Sequence, residues 1–294
     1  MKVLVTGAEG QLGRDVTALF QQAGHQVLGC GRSMLDITRL DACQQAVADF
    51  GPDTIVHCAA YTAVDAAETD IDGAYRVNAI GTRNMTTAAE NCGAKLVYIS
   101  TDYVFNGRSS VPYREYDVTD PQSVYGKTKQ AGEQFVQSLS SRYFIVRTSW
   151  VYGAHGANFV KTMLRLGQEK PVLQVVNDQL GSPTFTVDLS RFLLELVQTE
   201  KYGIYHASNA GQCTWFDFTR AIFDEAGKAG IQLTARLEPC TTAQFPRPAP
   251  RPAYSVMDHM AIRANGLTDL RDWREGLHDF IQIYLPKIKN QGIE

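Results

Sequence analysis

The chain has 294 residues, 44% hydrophobic and 20% charged, with a net charge of −3. That balance excludes the basic footprint of a nucleic-acid binder and the like-charge blocks of a disordered tail, and no apolar run approaches the ~20 residues that cross a bilayer. The length suffices for one large domain or two modest ones with a substantial core.

The opening MKVLVTG runs from Met1 directly into a strand-like segment without a signal-type apolar region, which predicts no export and a cytoplasmic location. Six cysteines with no C-x-x-C pair read as small core residues in a reducing compartment. The six histidines lack metal-ligand spacing, so no metal is expected. VLVTGAEGQLGRDV then places Gly7, Gly10 and Gly13 between the first strand and the first helix. Glycines there let the backbone turn tightly and approach a pyrophosphate, while the helix N-terminus offers N–H donors and the positive end of its dipole. A glycine triplet at that junction predicts a dinucleotide site.

The next strand, QVLGCG, ends in Gly29, Cys30 and Gly31, where an acidic residue would take a ribose 2′-hydroxyl. Arg32, which follows, suits a 2′-phosphate and points to NADPH, with NADH as a second possibility. Asp36 and Ile37 come later, Asp36 near the adenine or capping the helix DITRLDACQQAVADFG, whose expected N-cap is Thr38. DTIVHCAA, KLVYIST and YFIVRTSW read as further buried strands, the first two separated by a long helix containing GAYRVNAIGTRNMTTAAENCG. Near-continuous apolar runs alternating with helices predict a Rossmann-like, doubly wound parallel α/β sheet covered on both faces.

KLVYIST delivers Ser100 and Thr101, followed by Asp102, to the C-terminal edge of that sheet, where ligands gather in such folds. SVYGKTKQAGEQF sets Tyr125 and Lys129 four residues apart, on one helical face. A hydroxyl, a phenol and an ammonium beside a nicotinamide form a carbonyl-reducing set. Thr101 would hold the substrate oxygen, Tyr125 would protonate it, and Lys129 would bind the ribose and favour the phenolate. Moving a tyrosine from ~10 to near neutrality takes roughly 4 kcal/mol, about what one ammonium at ~4 Å supplies at an effective dielectric of ~20.

After Trp150 the pattern loosens into ANFVKTMLRLGQEK, VLQVVND, TVDLSRFLLELVQTE, GIYHAS, TWFDFTRAIFDEAG and LTARLEP, with a proline-rich FPRPAPRP read as a rigid loop. The closing DLRDWREGLHDFIQIYLPKIK reads as an amphipathic helix. The expected organisation is a dinucleotide-binding domain over 1–149 and a smaller mixed α/β substrate domain over 150–294. Strand 173–176 and helix 186–199 are expected to return to the first domain.

The order VTGAEGQLG, HCAAYTAVD, VNAIGTRNM, ISTDYVF, SVYGKTK, VRTSWVYG and NDQLGSPT resembles the extended short-chain dehydrogenase/reductase superfamily, and within it the dTDP-4-dehydrorhamnose reductases, over nearly the whole chain. The resemblance implies NAD(P)H-dependent reduction of the 4-keto group of a dTDP-6-deoxy-hexulose, dTDP-4-dehydro-L-rhamnose, in cell-surface polysaccharide biosynthesis. It implies that Gly10, Gln11 and Leu12 touch the pyrophosphate, that Ala59, Ala60 and Tyr61 line the cofactor's ribose, and that Asn78 supports the site. Val104 and Phe105 would flank the substrate, Trp150 would stack on its sugar, and Asn177, Asp178 and Gln179 would form the substrate-side loop. Arg251, rather than Arg247, would reach the diphosphate. The dehydratase relatives continue STD with Glu where this chain has Tyr103, which argues for simple reduction. Asp15 and Asp188 are only loose candidates for the Mg²⁺ that some relatives hold. A nucleotide-sugar epimerase would share the glycine loop and Y-x-x-x-K, and a non-catalytic subunit like the regulatory β subunit of methionine adenosyltransferase would share the resemblance. The expected assembly is a monomer or homodimer.

Overall fold

The computed structural model describes residues 1–284 and residue 286. Short apolar strands alternate with amphipathic helices through the first half: β1 (Lys2–Thr6), α1 (Gln11–Gln22), β2 (Gln26–Cys30), α2 (Leu40–Phe50), β3 (Thr54–His57), α3 (Val64–Ala67) and α4 (Ile71–Tyr75). A π-helical turn over Arg76–Gly81 joins α4 to α5 (Thr82–Cys92), followed by β4 (Lys95–Thr101), α6 (Val124–Leu139) and β5 (Tyr143–Thr148). The second half holds β6 (Val151–Tyr152), α7 (Phe159–Glu169), β7 (Val172–Val176), β8 (Leu180–Gly181), β9 (Thr184–Phe185), α8 (Thr186–Leu196) and β10 (Gly203–His206). It continues with β11 (Cys213–Thr214), α9 (Trp215–Lys228), β12 (Arg236–Cys240), α10 (Met260–Ala264) and α11 (Trp273–Asp279).

Six strands form one sheet in the order β10-β5-β4-β3-β1-β2, every pair parallel. The order turns around at β1, which lies between β2 and β3, and ligands bind outside such a switch point. Alternation along the strands sorts the core. Val3, Val5, Val56, Val97, Phe144 and Val146 pack under α1 and α8, while Leu4, Ile55, Leu96, Tyr98 and Ile145 pack under α2, α5 and α6. This is the Rossmann-like doubly wound fold expected from the apolar runs.

A second core gathers Tyr152, Val160, Leu173, Val175, Phe185, Phe218, Ile222 and Trp273. The expectation for the strand at 173–176 is corrected here. Val172–Val176 pairs with Arg236–Cys240 instead of joining the large sheet, because its inward residues Leu173 and Val175 complete this second core. Helix α8 does return, lending Leu189, Phe192, Leu193 and Leu196 to the first core. Thr38 is not the cap of α2: the helix begins at Leu40 after Arg39, and the Thr38 hydroxyl and amide are both spent on the Asp36 carboxylate, at 2.8 and 3.0 Å. The predicted closing helix is corrected at its start: residues 269–272 are not helical, and α11 begins at Trp273 behind its cap Asp272, whose carboxylate accepts from the amide of Arg274, then runs into a π-helical turn over Phe280–Tyr284; of the remainder, only residue 286 lies within the described residues.

Candidate active site

The glycine loop crosses the switch point at van der Waals contact. Gly7 has φ +64, and a Cβ there would lie 2.7 Å from the amide nitrogen of Ala59, just beyond β3. A Cβ on Gly13 would lie 2.2 Å from the carbonyl oxygen of Gly7. Both positions therefore demand glycine, one for its dihedral and one for its space. Helix α1 starts at Gly10 with no side-chain cap, so its first-turn amides face the loop as an anion cradle. The Gln11 side chain turns away, donating to the carbonyl of Val151 at 3.1 Å and accepting from Asn158 at 2.9 Å. Leu12 is buried in the core. Both residues thus face the loop through backbone alone.

Ala59, Ala60 and Tyr61 follow β3 along the same edge, half-exposed. Buried Asn78 clamps that segment to α6: its Oδ1 accepts from the amide of Tyr61 at 2.8 Å, and its Nδ2 donates to the Tyr61 carbonyl at 3.1 Å and to Thr128 at 2.9 Å. Asn78 is therefore a brace between two cofactor-side elements, with its amide fully used. Ile37 is buried against Gly81, so its side chain fills core space and does not present itself to a ligand.

Ser123 starts α6 by accepting from the amide of Gly126 at 3.1 Å, and Glu68 accepts from the amide of Val124 at 2.9 Å. These two caps set the rotation of the helix, and with it Tyr125 and Lys129. Thr101, 5% exposed, stands at the end of β4 and donates to Asp102 at 3.0 Å. Burial pushes the Tyr125 phenol up to about 12, opposed by a side-chain hydrogen bond with Thr101 and reinforced by the Asp102 charge. Asp102 itself is pushed up to about 6 by burial, against hydrogen bonds from Ser255 and Thr101.

The expectation that Lys129 lowers the Tyr125 pKa is corrected. The ammonium donates to the carbonyl of Ile99 at 2.7 Å and sits 4.1 Å from the centroid of the Tyr98 ring. Burial pulls it down to about 7, with Glu133 and Cys58 opposing. Its charge is engaged one turn below the phenol, so desolvation governs Tyr125.

Sequence reading missed what lies beneath. Glu133, 2% exposed, accepts from Arg147 Nε and Nη2 at 2.9 and 2.8 Å and from the Ser100 hydroxyl at 2.5 Å. Arg147 reaches on to His206 at 3.3 Å. Two signals were available: Tyr125, Lys129 and Glu133 repeat every four residues on one helical face, and Arg147 is a lone charge inside YFIVRTSW.

The substrate-side expectations fare differently. Val104 and Phe105 do not stand free as flanks: both are buried with Tyr113 and Met257, Phe105 stacked on Tyr113 at 4.2 Å. One face of Trp150 is covered by Trp215 at 3.5 Å and 9°, and Gly181 packs against the same indole, where a Cβ would lie 2.6 Å from Cε2. Trp150 also holds φ 47, as no other described non-glycine residue does, the kind of strain that collects at functional sites. Asn177 accepts from Thr214 at 2.8 Å. Gln179 donates to Thr242 at 2.9 Å and accepts from Trp215 Nε1 at 3.2 Å. Asn177 and Gln179 thus tie loops together and carry Trp215, and are not free arms.

Arg251 and Arg247 both bind Asp65, Arg251 at 2.9 Å, and Arg251 Nη1 is buried without a partner. Arg251 lines a cavity of about 210 Å³ with Tyr103, Asn106, Arg108 and Gln122. Arg108 is a second cation there that sequence reading did not single out.

Among the described residues no helix is long and apolar enough to cross a membrane. A family model described as "RmlD substrate binding domain" matches residues 1–285. The chain is 43% identical to the spore coat polysaccharide biosynthesis protein SpsK of Bacillus subtilis, covering 96% of this chain and 97% of that one. It is 43% identical to a dTDP-4-dehydrorhamnose reductase of Mycolicibacterium smegmatis, covering 95% and 85% respectively. A crystal structure of dTDP-4-dehydrorhamnose reductase from Bacillus anthracis in complex with NADP matches at a TM-score of 0.92 and 46% identity, covering 95% of this chain and 98% of that one.

Proposed function

The chain belongs to the RmlD substrate binding domain family, and from that premise we propose that it reduces the 4-keto group of dTDP-4-dehydro-L-rhamnose to give dTDP-L-rhamnose, with NADPH. The carrying observation is the hydroxyl–phenol pair of Thr101 and Tyr125 at the sheet edge, with a buried ammonium one helical turn on. The dTDP-4-dehydrorhamnose reductases among the relatives and the NADP-bound structure support the reading.

The glycine loop suits a pyrophosphate, since Gly7 and Gly13 let the backbone fold too closely on itself for any Cβ and α1 begins without a side-chain cap. Gln11 and Leu12 would hold it by their amides, Gly10, whose own amide donates to the Gly7 carbonyl at 2.9 Å, would allow its close approach, and Ala59, Ala60 and Tyr61 would line its ribose. Bound there, NADPH supplies hydride to the substrate's carbonyl carbon. The chain supplies the proton. On substrate binding Thr101 would turn its single hydroxyl proton from Asp102, to which it donates at 3.0 Å, to the carbonyl oxygen. Tyr125, kept protonated by burial, would give its phenolic proton to that oxygen as it becomes an alkoxide. Lys129, held by the Ile99 carbonyl, would donate to the cofactor's ribose. Asp102, mostly ionised above pH 6, borders the same oxygen and would orient Thr101. Arg108 and Arg251 at the 210 Å³ cavity would meet the diphosphate, whose geometry suits guanidinium forks. A nucleotide-sugar substrate and a reduced pyridine nucleotide support the cytoplasm as the location.

The test is to follow NADPH oxidation while supplying dTDP-4-dehydro-L-rhamnose, with UDP- and GDP-linked 4-keto sugars alongside. Turnover is expected with the dTDP sugar, and Tyr125→Phe is expected to keep NADP⁺ affinity while losing roughly 10² to 10⁴ in kcat, the usual worth of a placed general acid. Near-normal turnover by Tyr125→Phe would overturn the mechanism. Isomerised sugar without NADPH consumption would favour an epimerase.

A further inference from the structure

In open α/β sheets the end of the second strand reads the adenosine ribose: a carboxylate there accepts from a 2′-hydroxyl, and an arginine nearby accommodates a 2′-phosphate. Here β2 ends in Cys30 and Gly31 follows it, and the carboxylate arrives from elsewhere. A Cβ built on Gly31 would lie 2.2 Å from Cδ of Glu9 and 2.4 and 2.5 Å from its two oxygens. The Glu9 carboxylate therefore rests on the Cα of Gly31. Its neighbour Ala8 packs likewise on Gly29, where a Cβ would lie 3.0 Å from the Ala8 methyl. The Glu9 backbone is held in turn by Arg14, whose Nε donates to its carbonyl at 3.0 Å.

The other charges around this strand end are already engaged. Asp36 accepts twice from Thr38, and Arg39 pairs with Asp41. Glu9 and Arg32, both exposed, are charges of opposite sign flanking one glycine, with the Asp36 carboxylate also within electrostatic reach of Arg32. A side chain at position 31 would expel the Glu9 carboxylate, so the same glycine that removes an acid from β2 makes room for one from the glycine loop.

We propose that Glu9 is a specificity-determining residue: it supplies the carboxylate that β2 lacks, accepting from the 2′-hydroxyl of NADH and opposing the pull of Arg32 on the 2′-phosphate of NADPH. The inference rests on the cofactor reading above and deepens it. The chain then takes both cofactors with a narrow preference, set by two exposed charges and therefore sensitive to salt.

Isothermal titration calorimetry of the full chain with NADP⁺, NAD⁺ and ADP-ribose, at low and high salt, tests this without turnover. Glu9→Gln keeps the size of the side chain and removes its charge. It is expected to tighten NADP⁺ by roughly tenfold at low salt and to weaken NAD⁺ a few-fold, with the gain shrinking at high salt. Arg32→Ala is expected to weaken NADP⁺ alone. An unchanged NADP⁺/NAD⁺ ratio in Glu9→Gln, with both dinucleotides still bound, overturns the assignment and leaves the cofactor reading standing. Failure of the unsubstituted chain to bind any of the three ligands overturns the cofactor reading and this inference with it.

Discussion

A methyl group added at Gly13 would sit 2.2 Å from a backbone oxygen, whereas Asn177 on the opposite side of the cleft accepts one 2.8 Å hydrogen bond from the half-buried Thr214. The sheet side of the site is held by backbone approach and by charges that are 2–3% exposed. The substrate side is held by side chains of separate segments gripping one another: Trp150 on Trp215, Gln179 on Thr242, Arg251 on Asp65. Close-packed backbone cannot give way, while a bond between two loops can be lost and replaced by water. The two sides should therefore fail differently, the first abruptly and the second by degrees.

The hardest test of that contrast is Gly13→Ala. The new carbon meets a carbonyl, which has no rotamer to escape by, so the loop must move. We expect NADP⁺ affinity to fall by about 100-fold, along with a stability loss of about 1–3 kcal/mol, the usual cost of overpacking. Calorimetric titration and urea unfolding measure the two. Affinity within threefold of the unsubstituted chain would mean that the sheet side is as compliant as the loops.

Glu133→Gln comes next and separates charge from shape. Lys129 titrates near 7 even with Glu133 drawing its pKa upward. The other groups facing the ammonium are Cys58, Tyr98 and His57, the last kept neutral by burial with a pKa near 3. If the ammonium form of Lys129 is what holds the cofactor's ribose, kcat is full below its pKa and falls as pH rises through about 7. Tyr125, at about 12, adds no limb in that window. Removing the Glu133 charge is expected to move the fall about one unit lower, a roughly tenfold loss on the alkaline side. Unfolding should be easier by about 3–5 kcal/mol because Arg147 keeps its charge without its partner. Glu133→Asp, which restores the charge, should return the midpoint. A kcat profile that stays flat to pH 9 would remove Lys129 from the proton economy.

The same contrast explains what could be read from sequence. The sheet, the glycine loop, Thr101 and the Tyr125–Lys129 face were legible because each follows from local spacing: runs of valine and isoleucine, glycine where no Cβ fits, residues four apart on a helix. Strand Val172–Val176 was assigned to the wrong sheet because its length and composition suit either, and only its partner at Arg236–Cys240 decides. Val104 and Phe105 carry no local sign that Tyr113 and Met257 will enclose them. Trp150 was legible as an aromatic at the site edge, but not the Trp215 ring that covers it, which opens a helix distant in sequence. Sequence reading also assumed that nearness of Lys129 to Tyr125 means coupling. The Ile99 carbonyl, a backbone atom with no signature in sequence, engages the ammonium first.

On the substrate side a moderate effect is expected from Trp215→Ala. It uncovers one face of Trp150 and removes the donor to Gln179. Aromatic pairs are worth about 1 kcal/mol beyond their buried area, so KM for the dTDP sugar should change by about fivefold with kcat within twofold. Loss of kcat by orders of magnitude would place the Trp150–Trp215 stack inside the proton-transfer geometry and not beside it.

The smallest effect should come from Asp65→Asn, and its sign is the informative part. Asp65 holds Arg251 and Arg247 by pairs whose side chains are 18–48% exposed, and such pairs contribute at most about 1 kcal/mol. If Arg251 serves the diphosphate, Asp65 competes with the substrate for it. Neutralising the carboxylate should then lower KM by about threefold, more at low salt than at high. If Asp65 instead holds Arg251 in the geometry the diphosphate needs, KM should rise by a similar factor. A fall in KM makes the substrate side a set of contacts that substrate exchanges for its own, against a sheet side assembled in advance; a rise makes both sides preorganised and removes the contrast.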